Sequence, residues 1–137
     1  MLRPKNTKYN KSRKGRIKGN ETHACKLHFG TYGLKSLEPG RLTAQQLEAA
    51  RRTIIRKIKK IGKLWINVFP DIPVSKKPNE VRMGKGKGPI DYWACKIKPG
   101  KIIFELEILS TKIAYDVFKT AAIKLPFKTT FISLNKL

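Results

Sequence analysis

From Thr43 to Ile61 the apolar residues recur at helical spacing: Leu47, Ala50, Ile54, Ile58 and Ile61 share one stripe at about 100° per residue. A stripe of that kind has to be covered, so the rest of the chain must supply an apolar surface for it. The ends of the helix are marked too. Thr43 followed by Gln46 makes a capping box, Gly62 stands where helices commonly stop, and Lys59 and Lys60 suit the negative end of the helix dipole. Arg52, Arg56, Lys59 and Lys60 cluster opposite the stripe, with Arg51 beside them, and Ala49 among these cations is small enough to let a phosphate backbone approach. Glu48 is the one acid on the segment, so intrahelical pairing is not expected to explain the row of cations.

The same imbalance runs through the whole chain, which has 31 Lys+Arg against 9 Asp+Glu and a net charge of +22 over 137 residues. Such a chain repels itself unless a polyanion neutralises it, and nucleic acid is the polyanion this pattern fits. A membrane is not expected as partner, because no run approaches the roughly 18 apolar residues of a spanning helix. The apolar share of 40% is that of a folded domain. Residues 1–19 are the exception: Arg3, Lys5, Lys8, Lys11, Arg13, Lys14, Arg16 and Lys18 stand there with no acid and few apolar positions. That arm cannot bury enough surface to order itself and is expected to be disordered until it meets a polyanion, leaving 20–137 as a single globular domain.

Within that domain, apolar alternation from Ala24 to Leu37, broken at Gly30 and Gly33, predicts two strands or one bent strand ending at Glu38-Pro39-Gly40. Leu64 to Phe69 reads as a strand ended by Pro70-Asp71-Ile72-Pro73. Tyr92–Ile97 and Ile102–Ile108 flank Pro99-Gly100 as a hairpin would. A second helix is expected over Thr111–Leu125, with Ala114, Val117, Phe118, Ala121 and Leu125 on one face and Pro126 closing it, before a last strand over Phe127–Leu134. The sum is an α+β fold in which an antiparallel sheet carries both helices on one face.

Between the third strand and the hairpin lies Arg82-Met83-Gly84-Lys85-Gly86-Lys87-Gly88. Three alternating glycines let the backbone come close to another molecule while the cations reach its charges. A phosphate-binding loop of an NTPase or a dinucleotide enzyme would open a helix, whereas this one runs into Pro89 and a strand, so it reads as a protrusion from a sheet. Catalytic chemistry is not evident. His23 and His28 sit in a weakly patterned segment, the acids are scattered, and no nucleophile, base and orienter fall together, so the chain reads as a non-enzyme. His23, Cys25 and His28 lack the spacing and the fourth ligand of a zinc site, and Cys25 and Cys95 are read as reduced, buried thiols; no metal or cofactor is expected.

Taken together, the motifs resemble the family of bacterial-type large-subunit ribosomal protein number sixteen. The likeness covers nearly the whole chain. It is carried by Met1-Leu2-Arg3-Pro4-Lys5, His28-Phe29-Gly30 through Gly33-Leu34-Lys35, Gly40-Arg41-Leu42-Thr43 into Glu48-Ala49-Ala50-Arg51-Arg52, and Trp65 with Val68-Phe69-Pro70-Asp71. Arg82 to Gly88, Tyr92-Trp93, and Lys124-Leu125-Pro126 with Lys128-Thr129 complete it. The resemblance implies a monomer built into the large ribosomal subunit among neighbouring ribosomal proteins. It would lie on large-subunit rRNA below the central protuberance, between the peptidyl transferase centre and the factor-binding side. The arm and the helix cations would hold rRNA, and the loop from Arg82 to Gly88 would reach the acceptor ends of the tRNAs. On that reading the protein is no catalyst; it braces rRNA and helps aminoacyl-tRNA settle in the A site. In some bacterial members an arginine matching Arg82 is hydroxylated.

The chain also departs from the family pattern. Asn67 stands where the family often has arginine, which implies one phosphate contact fewer, and the segment Asn20–Lys26 follows no family pattern. Lysine, isoleucine and asparagine outweigh arginine, valine and alanine, the drift of an A+T-rich genome, and the N-terminus lacks the apolar side of a transit peptide. Those features point to a gene carried in an organelle, a mitochondrion ahead of a plastid or of an A+T-rich bacterium. The rival reading is a free basic nucleic-acid-binding protein, an RNA chaperone or DNA-compacting factor, for which charge and a flexible arm suffice.

Overall fold

The computed structural model describes residues 2–134, so Met1 of the family-like opening run lies outside it. Strand β1 (Tyr32–Ser36), β2 (Gly40–Thr43), helix α1 (Ala44–Ile58), β3 (Lys63–Ile66), β4 (Ile72–Ser75), β5 (Ile90–Ile97), β6 (Ile102–Glu107), helix α2 (Thr111–Ala122) and β7 (Thr129–Ser133) follow in chain order. The class is α+β, with every strand pairing antiparallel. The expected single sheet is divided in two: a four-stranded sheet ordered β3-β6-β1-β7 and a three-stranded sheet ordered β2-β5-β4.

The division explains why Pro99-Gly100 is not a hairpin turn. β5 pairs with β2 and β4, whereas β6 pairs with β1 and β3, so the chain passes there from one sheet to the other. The connection from β1 to β2 makes the same crossing, and the two crossings are bonded together at Ser36. Its N–H donates to the Lys101 carbonyl at 2.9 Å, and its own carbonyl accepts from Gly100 N at 2.8 Å. The Ser36 hydroxyl, fully buried, donates to the Glu38 carbonyl at 2.7 Å, so its own polar atom is satisfied at this corner. Most strands were legible from local pattern; strand pairing depends on residues far apart in sequence.

Helix α1 starts as expected, with Thr43 Oγ1 accepting from Gln46 N at 3.2 Å and Gln46 Oε1 accepting from Thr43 N at 3.1 Å. It ends earlier than expected. Lys59 turns to a φ of 55°, and Ile61, placed on the apolar stripe by periodicity, is 69% exposed. The remaining stripe of Ala44, Leu47, Ala50, Ile54 and Ile58 is buried. Helix α2 buries Ala114, Val117, Phe118 and Ala121, and the helices lie side by side, with Lys57 Nζ donating to the Asp116 carbonyl at 3.3 Å. Their shared core includes Leu42, Ile97, Ile103, Phe104 and Leu106 from both sheets. Burying that apolar surface is the main favourable term in folding.

β4 was hidden by its own composition. Pro73 has no N–H to give, and it sits on the outer strand of its sheet, where proline is tolerated. With β4 in place, residues 76–89 become the long connection of the β4–β5 hairpin, closed where Lys76 N donates to the Pro89 carbonyl at 3.1 Å.

Among the described residues no helix is long and apolar enough to cross a membrane.

Candidate nucleic-acid interface

Three basic regions occupy distinct places. The first is the glycine-paced loop at the end of the β4–β5 hairpin. Gly84 and Gly86 have φ of +96° and +86°, Lys85 between them has φ of +55°, and a Cβ added at either glycine would meet nothing within 4 Å. Residues 81–87 are all exposed, and Met83 is 100% so. Glycine is therefore present for backbone shape and open access, because no neighbour in the fold crowds it. Lys77 Nζ donates to the Gly84 carbonyl and holds one side of the loop to its own stem.

The arm is the second region, and it takes no helix or strand. It lies against the domain at named points. Lys11 Nζ donates to the Lys87 carbonyl at 2.8 Å, while Lys87 Nζ donates to the Ser12 carbonyl, so arm and loop exchange contacts. Further along, Arg41 Nη2 on β2 donates to the carbonyls of Lys14 and Gly15 at 3.0 and 2.9 Å. Except for the first, these contacts use arm carbonyls as acceptors. The side chains of Arg3, Lys5, Lys8, Arg13, Lys14, Arg16 and Lys18 are exposed, with Lys8 Nζ 5.6 Å from the Tyr9 ring centroid. Leu2 packs against the core cluster, which ties down the start of the arm. Sequence reasoning missed Arg41 as the clamp, although its place on β2 beside the buried Leu42 was a period-2 signal that it faces outward.

On α1 the structure corrects the expectation about Glu48. Arg51 grips it with both Nε at 2.8 Å and Nη2 at 2.6 Å, and Arg52 Nε reaches the same carboxylate at 3.0 Å. The hydrogen bond from Arg51 holds Glu48 at a pKa of about 2, and the carboxylate raises that of Arg51 in return. One acid thus engages two cations, because positions three and four residues on lie over the same patch of helix surface. Beyond that pair, Arg56, Lys59 and Lys60 are exposed, and no acid pairs with them among the described residues. Ala49 is exposed beside Arg52 in a groove that also takes Leu2, so the arm runs onto the cationic helix.

A buried anion organises the turn at residues 28–30. Glu105 on β6 has no exposed surface, and its Oε2 accepts from the backbone N–H groups of His28, Phe29 and Gly30 at 3.1, 2.7 and 2.9 Å. Its Oε1 accepts from Asn67 Nδ2 at 2.5 Å. Burial opposes the charge, but the donors from Gly30, Phe29, Asn67 and His28 outweigh it and pull the pKa below the ordinary value. Asn67, read as a lost phosphate contact, is turned inward as a partner of this carboxylate. The thiols differ from each other: Cys95 is buried, and burial pushes it up to about 11, whereas Cys25 is only half-buried, with Sγ 3.2 Å from the Thr22 carbonyl.

Comparison with known proteins gives the family. Residues 4–132 match the family described as ribosomal protein L16p/L10e. The large ribosomal subunit protein uL16 of Erythrobacter litoralis is 59% identical over 133 residues, covering 97% of this chain and 92% of that protein. Those of Psychrobacter cryohalolentis and Psychrobacter arcticus are each 59% identical over 132 residues, covering 96% of both chains. With the match running from the arm to the last strand, the chain belongs to the ribosomal protein L16p/L10e family.

Proposed function

We propose that this protein is a structural constituent of the large ribosomal subunit that binds large-subunit rRNA and helps seat tRNA in the A site. The exposed cations of the arm and of Arg52, Arg56, Lys59 and Lys60 on α1 hold rRNA, together with Arg51, which is paired with Glu48 on the same helix. Neighbouring ribosomal proteins complete its surroundings. The loop from Arg82 to Gly88 reaches toward the acceptor ends of tRNA. One observation supports the loop's part: Gly84 and Gly86 adopt positive φ with no neighbour within 4 Å of an added Cβ, which leaves the backbone open to close approach by an outside partner.

The test is reconstitution of large subunits with Gly84→Val plus Gly86→Val, and separately with Arg82→Ala, followed by timing of A-site tRNA accommodation. Both should assemble to wild-type occupancy through the arm and α1, and both should accommodate tRNA more slowly. Valine restricts φ and blocks close backbone approach, and alanine at 82 removes a planar donor suited to phosphate or base edges. Normal timing at full occupancy would reduce the protein to an rRNA brace. The same family name on the relatives favours this reading over a free RNA chaperone, which would stay off subunits washed at high salt. For the address, the bias toward lysine, isoleucine and asparagine supports an organellar ribosome, mitochondrial by preference. Locating the gene in an organellar or a bacterial genome decides that point.

A further inference from the structure

An open, apolar groove of about 630 Å3 runs between the turn at residues 28–30 and the segment that follows β3. That volume lies within the roughly 300–1,000 Å3 of small-ligand sites. Two of its lining residues are aromatic rings left in solvent, Phe29 at 63% exposure and Phe69 at 47%, and Ile66 lines it as well. Phe29 is also held still. Its N–H is bonded at 2.7 Å to the buried Glu105, and its ring stacks on Trp65 with centroids 6.1 Å apart and planes 18° from parallel. An exposed ring fixed from behind is a platform that loses little entropy when something stacks on its free face. The rim is polar and carries no acid among the described residues: His23, Lys26 and His28 line it. Apolar walls for a flat group, a cation and imidazole donors at the edge, and a chain of net charge +22 are together the chemistry of a nucleotide. An apolar protein segment would be matched by the walls and not by the rim.

We infer that this groove takes one unstacked nucleobase of the RNA partner, stacked on Phe29, with its phosphate toward Lys26. The inference rests on the RNA-binding reading above, and it adds a contact that reads single-stranded RNA where the arm and α1 read only charge. The base would come from a loop or bulge, since a paired base has no free face to offer.

Binding of the full chain to an RNA hairpin with 2-aminopurine in its loop, beside a duplex of equal charge, separates the two layers. Phe29→Leu, checked for a native melting curve, should weaken the hairpin by roughly 5- to 150-fold, the worth of one base–aromatic stack. It should remove the 2-aminopurine quenching, leave duplex affinity and both salt slopes unchanged, and be rescued by Phe29→Tyr. Phe69→Leu should act in the same direction. Equal losses on hairpin and duplex, or no loss, would overturn the base site while RNA binding stands; failure of the wild type to hold either RNA would overturn both. In assembled large subunits a photoreactive phenylalanine analogue at position 29 should cross-link to RNA, and a cross-link to protein would overturn the inference.

Discussion

Gly30 and Gly84 are both glycines in loops, yet they are glycines for opposite reasons. A Cβ on Gly30 would stand 2.7 Å from the backbone N and O of Leu106, so the residue is required by the packing of the 28–30 turn onto β6. A Cβ on Gly84 would touch nothing within 4 Å, and what the residue supplies is a φ of +96°. Around Gly30 the backbone N–H groups of residues 28–30 all have a partner inside the protein, the Glu105 carboxylate. Around Gly84 the cations of Arg82 and Lys85 face outward. One region spends its chemistry on the fold, and the other leaves its cations in solvent. The presence or absence of internal neighbours is what separates a structural motif from a binding one when the residue types look alike.

The largest effect should come from removing the centre of the first region. Glu105→Ala strips the acceptor from three backbone N–H groups and from Asn67, and should cost on the order of 4 kcal/mol in urea denaturation. Stability should also track this group with pH. Its folded value lies below the ordinary 4.5, so the native state holds the proton less tightly than the unfolded chain. The stabilisation is complete above 4.5 and is lost as pH falls through the folded value. Glu105→Gln should flatten that part of the acid limb; an unchanged limb would place the charge elsewhere.

Next in size is the glycine pair itself. Gly30→Ala should cost about 1–3 kcal/mol through forced backbone shifts, and Gly84→Ala about 1 kcal/mol through its positive φ alone. Equal costs in thermal melts would erase the distinction drawn between the two loops.

The smallest stability effect should be on α1. Arg56→Ala with Lys60→Ala should change stability by no more than about 0.5 kcal/mol. The same pair should reduce the slope of log affinity for rRNA against log salt by about 1.4 to 1.8 if both contact phosphate. A slope that does not move would make these residues a solvated face.

Legibility followed the range of the interactions. Thr43 and Gln46 announced the start of α1 because a capping box is complete within four residues, and the buried stripe from Leu47 to Ile58 needs only the helical period. Ile61 was misplaced because the period was carried past Lys59, where the backbone leaves the helix. β4 escaped notice because Pro73 reads as a strand breaker until an outer position in a sheet is known. The pairing of Glu48 with two arginines was open to reading from spacing, and it was set aside for want of acids, although one carboxylate has two oxygens to offer. The Phe29–Trp65 stack and the clamp of Arg41 on the arm join residues far apart in sequence, and no local pattern encodes them.

The sequence by itself determined the polyanionic class of partner, the α+β class, the two amphipathic helices and the outward loop, since charge balance and periodicity are properties of composition and neighbouring residues. Only the tertiary structure decided that the strands form two sheets joined at Ser36, that Asn67 and the 28–30 turn share a buried Glu105, and that the arm exchanges hydrogen bonds with the loop. The reason is physical. A hydrogen bond or a packed ring is specified by where two distant segments meet, and that meeting point is fixed by the whole core at once.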